Sequence, residues 1–338
     1  MSEGFKIDPW SNSNILDEDY QRLIKEFGIE EFDEIIRTKF NKHRFIRRKV
    51  IFGHRDLKLI AKAIDEDQPW AVMSGIKPSG PFHLGTLTTA LEIIEFQKMG
   101  GKVYYCIADV ESYEDNGIPF EKAEEDAIDN LADILASGLN PENAYVYRQS
   151  KEPLVKDVAI RVGRLVTMNM LRAIYGEKDF GLYLSALIQV GDIVLPQVME
   201  GSQPTVVPVG IDQDPHLRLT RDLTRRYYKE KKKGGKVIQE EFFIPSATYH
   251  YLLPGLDGSE KMSKRDPNSY FTFNEPLESI EKNDDEKLAA DFTRCIKGEL
   301  LCGEHKRECL EKVLNYVKAH RKKKEKFIDK AKELLDVE

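Results

Sequence analysis

The chain has 338 residues, 41% of them hydrophobic, and a formal net charge of −7. This composition excludes a disordered chain, and the length exceeds that of a usual single core, so two domains are expected. No stretch approaches the roughly 20 uncharged apolar residues that a membrane-spanning helix needs, and residues 1–5 lack the features of a secretion signal, which predicts a cytoplasmic protein with no membrane partner.

Residues 1–69 are predicted to form an N-terminal appendage of short helices and a hairpin. Apolar residues recur at helical intervals over residues 23–36. Residues 45–52 mix basic and apolar side chains in a hairpin-like pattern. Neither stretch carries an evident chemical motif.

An alternating pattern of strands and helices occupies residues 70–274. A short apolar run at 71–74 is stopped by Gly75, residues 84–99 have helical apolar spacing, and residues 103–108 are rich in strand-forming residues. Strand, turn, helix and strand in this order predict a parallel sheet with a ligand at the carboxyl ends of its strands. The further predicted elements are helices at 125–137, 165–175 and 183–196, the last interrupted by Gly191, and strands at 144–147 and 206–211.

The C-terminal residues 275–338 are charged and predict an all-helical domain, with its main helices at 289–295 and 308–335. Lysine and arginine crowd into residues 221–233 and 318–332, where a nucleic-acid backbone could lie against them. On charge alone, exposed helix faces interleaved with acidic residues are the favoured explanation of both runs.

A glycine-rich turn at residues 74–86 is the first motif with chemical content. It follows a strand and opens a helix, where backbone N–H groups and the helix dipole favour phosphate. Gly75 and Gly85 would let a base or ribose approach the main chain, and Lys77 and His83 would add donors. For this segment alone, a tight loop with one structural histidine is an equally good interpretation.

A second motif lies at residues 258–269. Lys261 and Lys264 stand three residues apart with Ser263 between them, in a polar loop that could close on a polyphosphate. A solvated charge run explains each lysine separately. It does not explain their occurrence with a His-Leu-Gly-Thr turn in the same predicted domain.

Together, the two motifs resemble the paired HIGH and KMSKS signatures of class I aminoacyl-tRNA synthetases. Residues 212–222, within the stretch 207–222, read Asp-Gln-Asp-Pro-His-Leu-Arg-Leu-Thr-Arg-Asp. They resemble the DQDPxxRxTRD element of the archaeal and eukaryotic tryptophanyl-tRNA synthetases. The resemblance implies a Rossmann-like catalytic domain at 70–274 with a dimer-forming insertion at about 115–180. A helical, anticodon-binding-like domain at 275–338 would follow.

This chain departs from the family pattern at three places. Thr86 stands where the first signature has its second histidine, and Lys264 stands where this branch often has alanine. The stretch from 273 to 298 is shorter than in similar proteins. The short stretch puts anticodon recognition in doubt more than amino-acid activation.

The resemblance implies that tryptophan is activated by ATP, with Mg²⁺, to tryptophanyl-adenylate and pyrophosphate, and is then transferred to the 3′-terminal adenosine of tRNA(Trp). His83, Lys261 and Lys264 would be the catalytic residues. The implied ATP-binding residues are Gly75, Lys77, His83, Gly85, Thr86, Gly210, Asp212, Lys261, Met262, Ser263 and Lys264. The implied tryptophan-binding residues are Met73, Glu111, Gln189 and Gln213. Similar enzymes are homodimers, here through helices between residues 121 and 173.

Three alternatives remain open from the sequence. Tyrosine is the nearest rival substrate, and a synthetase-like RNA-binding protein without catalysis is a rival of another class. The spacing of Cys295, Cys302, His305 and Cys309 could be forced onto a metal site. A helix that carries cysteines as small hydrophobic residues explains it better, so no metal site is predicted.

Overall fold

The computed structural model describes residues 9–10, 22, 24–226, 228–233, 236–253, 270, 272–274 and 303–337. Two predicted segments therefore lie outside the described residues: the lysine loop at 258–269 and the helix at 289–295. All the strands named below belong to the described part of the chain.

A seven-stranded mixed sheet forms the centre of the described protein, in the order β1–β2–β9–β6–β3–β4–β5. The five strands from β9 to β5 in this order run parallel, as the sequence predicted for this fold class, whereas β2 pairs antiparallel with β9, and β1 with β2. A separate antiparallel pair, β7–β8, lies between β6 and β9 in the sequence. The strands are β1 (Glu30–Glu31), β2 (Ile51–Arg55), β3 (Ala71–Ile76), β4 (Lys102–Ile107), β5 (Ala144–Arg148), β6 (Thr205–Gly210), β7 (Tyr228–Lys233), β8 (Lys236–Glu241) and β9 (Ser246–His250).

Helices connect the parallel strands and cover both faces of the sheet. They are α1 (Glu34–Lys39), α2 (Arg44–Arg47), α3 (Leu57–Asp65), α4 (Leu84–Lys98), α5 (Asp109–Asn116), α6 (Phe120–Ser137), α7 (Pro153–Gly163), α8 (Met168–Tyr175), α9 (Phe180–Glu200), α10 (Asp214–Thr224), α11 (Gly303–Lys324) and α12 (Ile328–Leu334). Short 3₁₀ turns lie at Pro141–Asn143, Ile211–Gln213 and Glu325–Phe327. The helices predicted to begin at residues 84, 125 and 165 are all present, with ends shifted by a few residues.

The N-terminal region differs from its prediction. The stretch at 23–36, predicted to be one helix, is broken by β1, and α1 begins only at Glu34, where Asp33 caps it by accepting a hydrogen bond from the Ile36 N–H. The expected hairpin at 45–52 is instead α2 followed by β2, which pairs with β9. Residues ahead of position 70 thus contribute two strands to the main sheet. The division of the chain into three regions stays a prediction.

The core lies in two layers, one on each face of the sheet. Along β3, Val72 and Ile76 belong to one layer and Ala71 and Met73 to the other, because alternate side chains of a strand point to opposite faces. Helices α3, α4 and α6 complete the first layer, and α7, α9 and α10 complete the second. Burial on both faces explains the nearly continuous apolar runs of β3 and β4.

Helix α9 crosses the second layer and was predicted to be interrupted at Gly191, which is wrong. The helix is continuous, and a Cβ at Gly191 would lie 2.4 Å from the Val155 carbonyl oxygen of α7. Glycine here permits close packing of two helices. By length and composition α9 could cross a membrane, against the expectation from the sequence, but 67% of its most apolar window is buried inside the protein, as in a core helix.

The C-terminal helix α11 packs on α6 through a buried charged cluster. Asp133 of α6 lies 2.8 Å from both His320 Nε2 and Lys324 Nζ, and all three side chains are buried. The His320 ring also stacks on Phe82, with ring centroids 6.4 Å apart. Lys324, which the sequence placed in a basic run, therefore serves packing within the protein. The helix touches the turn that precedes His83.

Candidate functional site

A cavity of about 510 Å³ opens at the carboxyl ends of the parallel strands, where the sequence predicted a ligand. Residues at the ends of β3, β4, β6 and β9 line it, together with the first turns of α4 and α5 and the middle of α9. The structure brings together every predicted site residue that it describes. These are Met73, Gly75, Lys77, His83, Gly85, Thr86, Glu111, Gln189, Gly210, Asp212 and Gln213.

The His83 turn is built as the sequence suggested, from strand β3 into helix α4. His83 is the N-cap residue of α4, and its Nδ1 accepts a hydrogen bond of 3.0 Å from the Gly85 N–H. A Cβ at Gly85 would lie 2.8 Å from the His83 ring, so glycine is needed for this ring position. His83 therefore both caps helix α4 and lines the cavity.

Gly75 and Lys77 occupy the cavity edge for reasons that the sequence did not show. A Cβ at Gly75 would lie 2.5 Å from the Cys106 carbonyl oxygen, so this glycine is required by strand packing. The Lys77 ammonium forms an ion pair with Asp115 and lies 3.9 Å from Glu111. Two carboxylates thus hold the lysine that was predicted to face ATP.

Glu111 stands in the first turn of α5, where the helix dipole favours an acid. Burial raises the pKa of Glu111, and the Lys77 charge and a hydrogen bond with Trp10 oppose this shift. Pro9, next to Trp10, lines the same cavity. The N-terminal Pro-Trp pair therefore belongs to the surroundings of the site.

A polar cluster around Asp192 was missed by the sequence reasoning. The Asp192 carboxylate of α9 is 1% exposed and accepts hydrogen bonds from Tyr147 Oη at 2.8 Å and Gln149 Nε2 at 2.5 Å. The Cys106 thiol is 3.5 Å away. Burial raises the pKa of Asp192 to about 7, although these hydrogen bonds lower it. A charged residue within the apolar run at 183–196, one helical turn after Gln189, was the signal that could have identified it.

Gly210 is the last residue of β6, and Asp212 and Gln213 follow it in a 3₁₀ turn; all three line the cavity. A Cβ at Gly210 would lie 2.7 Å from Asp212 Oδ1 and 3.6 Å from His250 Nε2. His250, the last residue of β9, also lines the cavity and was not predicted. The same Cβ would lie 2.9 Å from Leu252 Cδ2, so the packing of Asp212 and Leu252 requires a glycine here, and His250 adds a second polar group at this edge of the cavity.

The predicted residues Lys261, Met262, Ser263 and Lys264 lie outside the described residues, as do Cys295 and Cys302. The chain on either side of that loop borders the site: Leu253 lines the cavity, and the Tyr270 ring centroid lies 5.5 Å from that of His83. Thr272 pairs with His83 in an antiparallel bridge. In the described part of the chain, no group of three or more histidine, cysteine or acidic side chains is arranged to hold a metal ion.

A parallel sheet with a glycine-rich turn between strand and helix, and a cavity at its carboxyl edge, defines a Rossmann-like fold. Residues 65–336 match the family of tRNA synthetases class I (W and Y). The chain belongs to this family.

Relatives that match over nearly their whole length carry one activity in their names. The chain is 33% identical to the tryptophan–tRNA ligase of Archaeoglobus fulgidus, covering 94% of this chain and 97% of that protein, and 34% identical to that of Aeropyrum pernix, covering 95% of each. The crystal structure of the tryptophanyl-tRNA synthetase from Aeropyrum pernix superimposes with a TM-score of 0.80 at 33% identity, over 97% of this chain and 98% of that one. The tryptophan-bound Encephalitozoon cuniculi synthetase, 22% identical with a TM-score of 0.78 over 95% and 98% of the two chains, supports the fold.

The comparison also bears on length. The alignment with the Archaeoglobus relative extends over 411 positions, which exceeds the 338 residues of this chain. That relative therefore contains residues that this chain lacks. A shortening of this kind is expected from the sequence between residues 273 and 298, and its position stays a prediction.

Proposed function

We propose that this protein is a tryptophan–tRNA ligase that activates tryptophan with ATP and transfers it to tRNA(Trp). The observation that carries the proposal is that eleven predicted site residues, spread from Met73 to Gln213, line one cavity at the carboxyl edge of the sheet. Near-full-length relatives named tryptophan–tRNA ligase support the choice of reaction.

The first step needs binding groups more than proton transfer. The tryptophan carboxylate is already ionised at neutral pH, and its oxygen attacks the α-phosphorus of ATP while the bond to the β-phosphate breaks and pyrophosphate leaves. Catalysis then consists of alignment and of neutralising charge on the phosphates. The α4 N-terminus with His83 would supply N–H groups, and Lys261 and Lys264 would supply cations. Mg²⁺ would enter with ATP, because phosphate oxygens are among its preferred ligands.

The amino-acid pocket must accept an indole N–H in a largely buried environment. Asp192 meets this requirement, because its carboxylate keeps acceptor capacity beyond its bonds to Tyr147 and Gln149. Met73 and Cys106 supply apolar wall nearby. A pocket that hydrogen-bonds the N–H rejects analogues without it, so no editing activity is expected.

Tyrosine is the second candidate, because a buried carboxylate accepts a phenol O–H as readily as an indole N–H. The family match itself covers both amino acids. The names of the relatives favour tryptophan. The two substrates must therefore be compared directly.

The test is exchange of labelled pyrophosphate into ATP, with tryptophan and tyrosine in parallel. We expect exchange with tryptophan alone, loss of exchange in Lys261→Ala, and a KM for tryptophan raised roughly 10-fold or more in Asp192→Ala, since a charged hydrogen-bond partner is removed. A matched control is Asp157→Ala, which removes an exposed carboxylate from α7. Tyrosine-dependent exchange would move the assignment to the other branch.

Charging of tRNA(Trp) tests the second step. The terminal ribose hydroxyl, expected to be the 2′ oxygen, attacks the adenylate carbonyl and AMP leaves. Exchange without charging would point to a defect in the helical region, and neither activity would favour the non-catalytic RNA-binding alternative. The basic runs at 221–233 and 318–332 are the proposed tRNA contacts, apart from Lys324, which is buried against Asp133.

A further inference from the structure

His250 presents one ring nitrogen to the cavity and anchors the other on a buried acid. Its Nδ1 lies 2.8 Å from Glu92 Oε2, and His250 itself is 5% exposed. Glu92, in the middle of α4, is fully buried and also accepts a 2.6 Å hydrogen bond from Thr248 Oγ1. Thr248 and His250 of β9 are thus both held by the Glu92 carboxylate of α4, the helix that begins after His83.

The Glu92 carboxylate determines how the imidazole is oriented. In the neutral imidazole one ring nitrogen donates and the other accepts, and a Glu92 oxygen that accepts from Nδ1 leaves Nε2 as the acceptor. Nε2 is then the group available to a ligand, and within the described residues it makes no hydrogen bond. A hydrogen bond of this kind to the other ring nitrogen fixes the orientation of the imidazole and its tautomer.

The position of Nε2 defines what it could bind. Nε2 lies 3.6 Å, and Asp212 Oδ1 lies 2.7 Å, from the point where a Cβ of Gly210 would stand. Two acceptors that line the cavity therefore lie close to the Gly210 main chain, at the carboxyl end of β6. A pair of neighbouring hydroxyl groups, each with one hydrogen to donate, matches two such acceptors.

We propose that His250 is a binding residue for the ribose of ATP, accepting a hydrogen bond from one ribose hydroxyl through Nε2, and that Glu92 is its positioning residue. The inference rests on the proposed function in taking ATP as the nucleotide. It adds a group from β9 to the site, whereas Gly210 and Asp212, which the family resemblance implies as ATP-binding residues, lie at the end of β6 and just after it. The contact is to the nucleoside, so it should affect ATP and leave the tryptophan pocket unchanged.

The test uses two substitutions that differ in reach. The His250→Gln side chain places an amide near the position of Nε2, whereas the His250→Asn amide resembles Nδ1 and keeps the Glu92 contact without reaching the cavity. We expect His250→Asn to raise the KM for ATP roughly 3- to 15-fold, the value of one hydrogen bond, with the KM for tryptophan unchanged. His250→Gln should retain most of the wild-type ATP affinity.

Deoxynucleotides separate a ribose contact from a structural role. If His250 binds a ribose hydroxyl, wild type discriminates against 2′-deoxy-ATP or 3′-deoxy-ATP, and His250→Asn loses this discrimination for one of the two, because both changes remove the same bond. Glu92→Gln should weaken the discrimination partly. Equal loss of ATP and both deoxynucleotides in His250→Asn would overturn the proposal.

A matched control is His43→Gln. His43 is also fully buried and contacts Glu92, through the backbone oxygen at 3.2 Å, but it does not line the cavity. This variant should lose stability without a change in nucleotide discrimination. A change in discrimination as large as that of His250→Asn would assign the effect to packing around Glu92 and overturn the proposal.

Direct binding keeps this inference apart from the proposed function. Calorimetric titration with ATP and its deoxy forms needs no amino acid and no turnover. If wild type binds ATP but shows no tryptophan-dependent exchange, the proposed function fails while the titration still decides the role of His250. If wild type binds no ATP, the ribose proposal fails as well.

Discussion

At the scale of single residues, the stability of the folded protein depends on the protonation of Asp192. Burial raises its pKa from the ordinary 3.8 to about 7 in the folded protein. The folded state therefore holds the proton more tightly than the unfolded chain. The contribution of this group to stability is fully present below pH 3.8 and is lost as pH rises through 7.

We predict that Asp192→Asn flattens the dependence of unfolding free energy on pH between 5 and 8. In wild type this group should contribute a slope of up to about 1.4 kcal/mol per pH unit below pH 7, and the neutral amide removes it. Urea unfolding at pH 5, 6, 7 and 8 measures the difference, with the exposed Asp157→Asn as control. Parallel profiles for wild type and Asp192→Asn would contradict the raised pKa.

The same residue shows how far the site could be predicted. The sequence predicted the main-chain framework of the site, because a strand, a glycine-containing turn and the start of a helix follow one another within residues 71–86. Asp192 and His250 were not predicted as site residues, because each is held in place by a side chain far away in the sequence. Tyr147 hydrogen-bonds to Asp192, and Glu92 hydrogen-bonds to His250. A motif records neighbours along the chain, whereas these contacts depend on packing.

At the scale of elements, the packing of α9 on α7 depends on the missing side chain at Gly191. We predict that Gly191→Ala destabilises the protein by about 1–3 kcal/mol, because the new Cβ would meet the Val155 carbonyl group, a backbone atom that cannot turn aside. The control is Gly163→Ala at the end of α7, where no atom lies within 4 Å of the added Cβ. That variant should be neutral or slightly more stable, since alanine favours a helix.

Thermal or urea unfolding of the two alanine variants decides this point. A similar stability for both would mean that α9 shifts freely and that Gly191 has no packing role. The opposite signs expected here separate a packing effect from helix propensity, because propensity alone favours alanine at both positions.

The elements that the sequence predicted well are those with local causes. Helix α4 begins and ends where His83 and the glycines after Met99 indicate, and β4 follows as predicted. Strands β1 and β2 were misread, because β2 pairs with β9, nearly 200 residues later in the chain, and the basic residues around it conceal the strand pattern. The interruption predicted at Gly191 failed for a related reason, since its cause lies on another helix.

At the scale of the whole molecule, a homodimer remains a prediction for this chain. Large apolar side chains stand exposed on the helices of the predicted insertion, with Ile160 of α7 77% exposed and Phe180 of α9 70% exposed. Leu154 of α7, Met168 of α8 and Leu184 of α9 are exposed to lesser degrees. Concentrated exposure of this kind marks an interaction surface.

We therefore predict that Ile160→Asp combined with Phe180→Asp shifts the protein from dimer to monomer, because a charge cannot be desolvated in an apolar contact without a partner. Sedimentation equilibrium at several protein concentrations measures the mass. Ile35→Asp is the control, since Ile35 is 79% exposed on α1, outside the insertion, and should leave the dimer intact. A wild-type monomer at all concentrations, or dissociation by Ile35→Asp as well, would remove these helices as the interface. Because exposure is nearly equal at the three positions, a difference between the two variants would not come from how exposed the replaced side chains are.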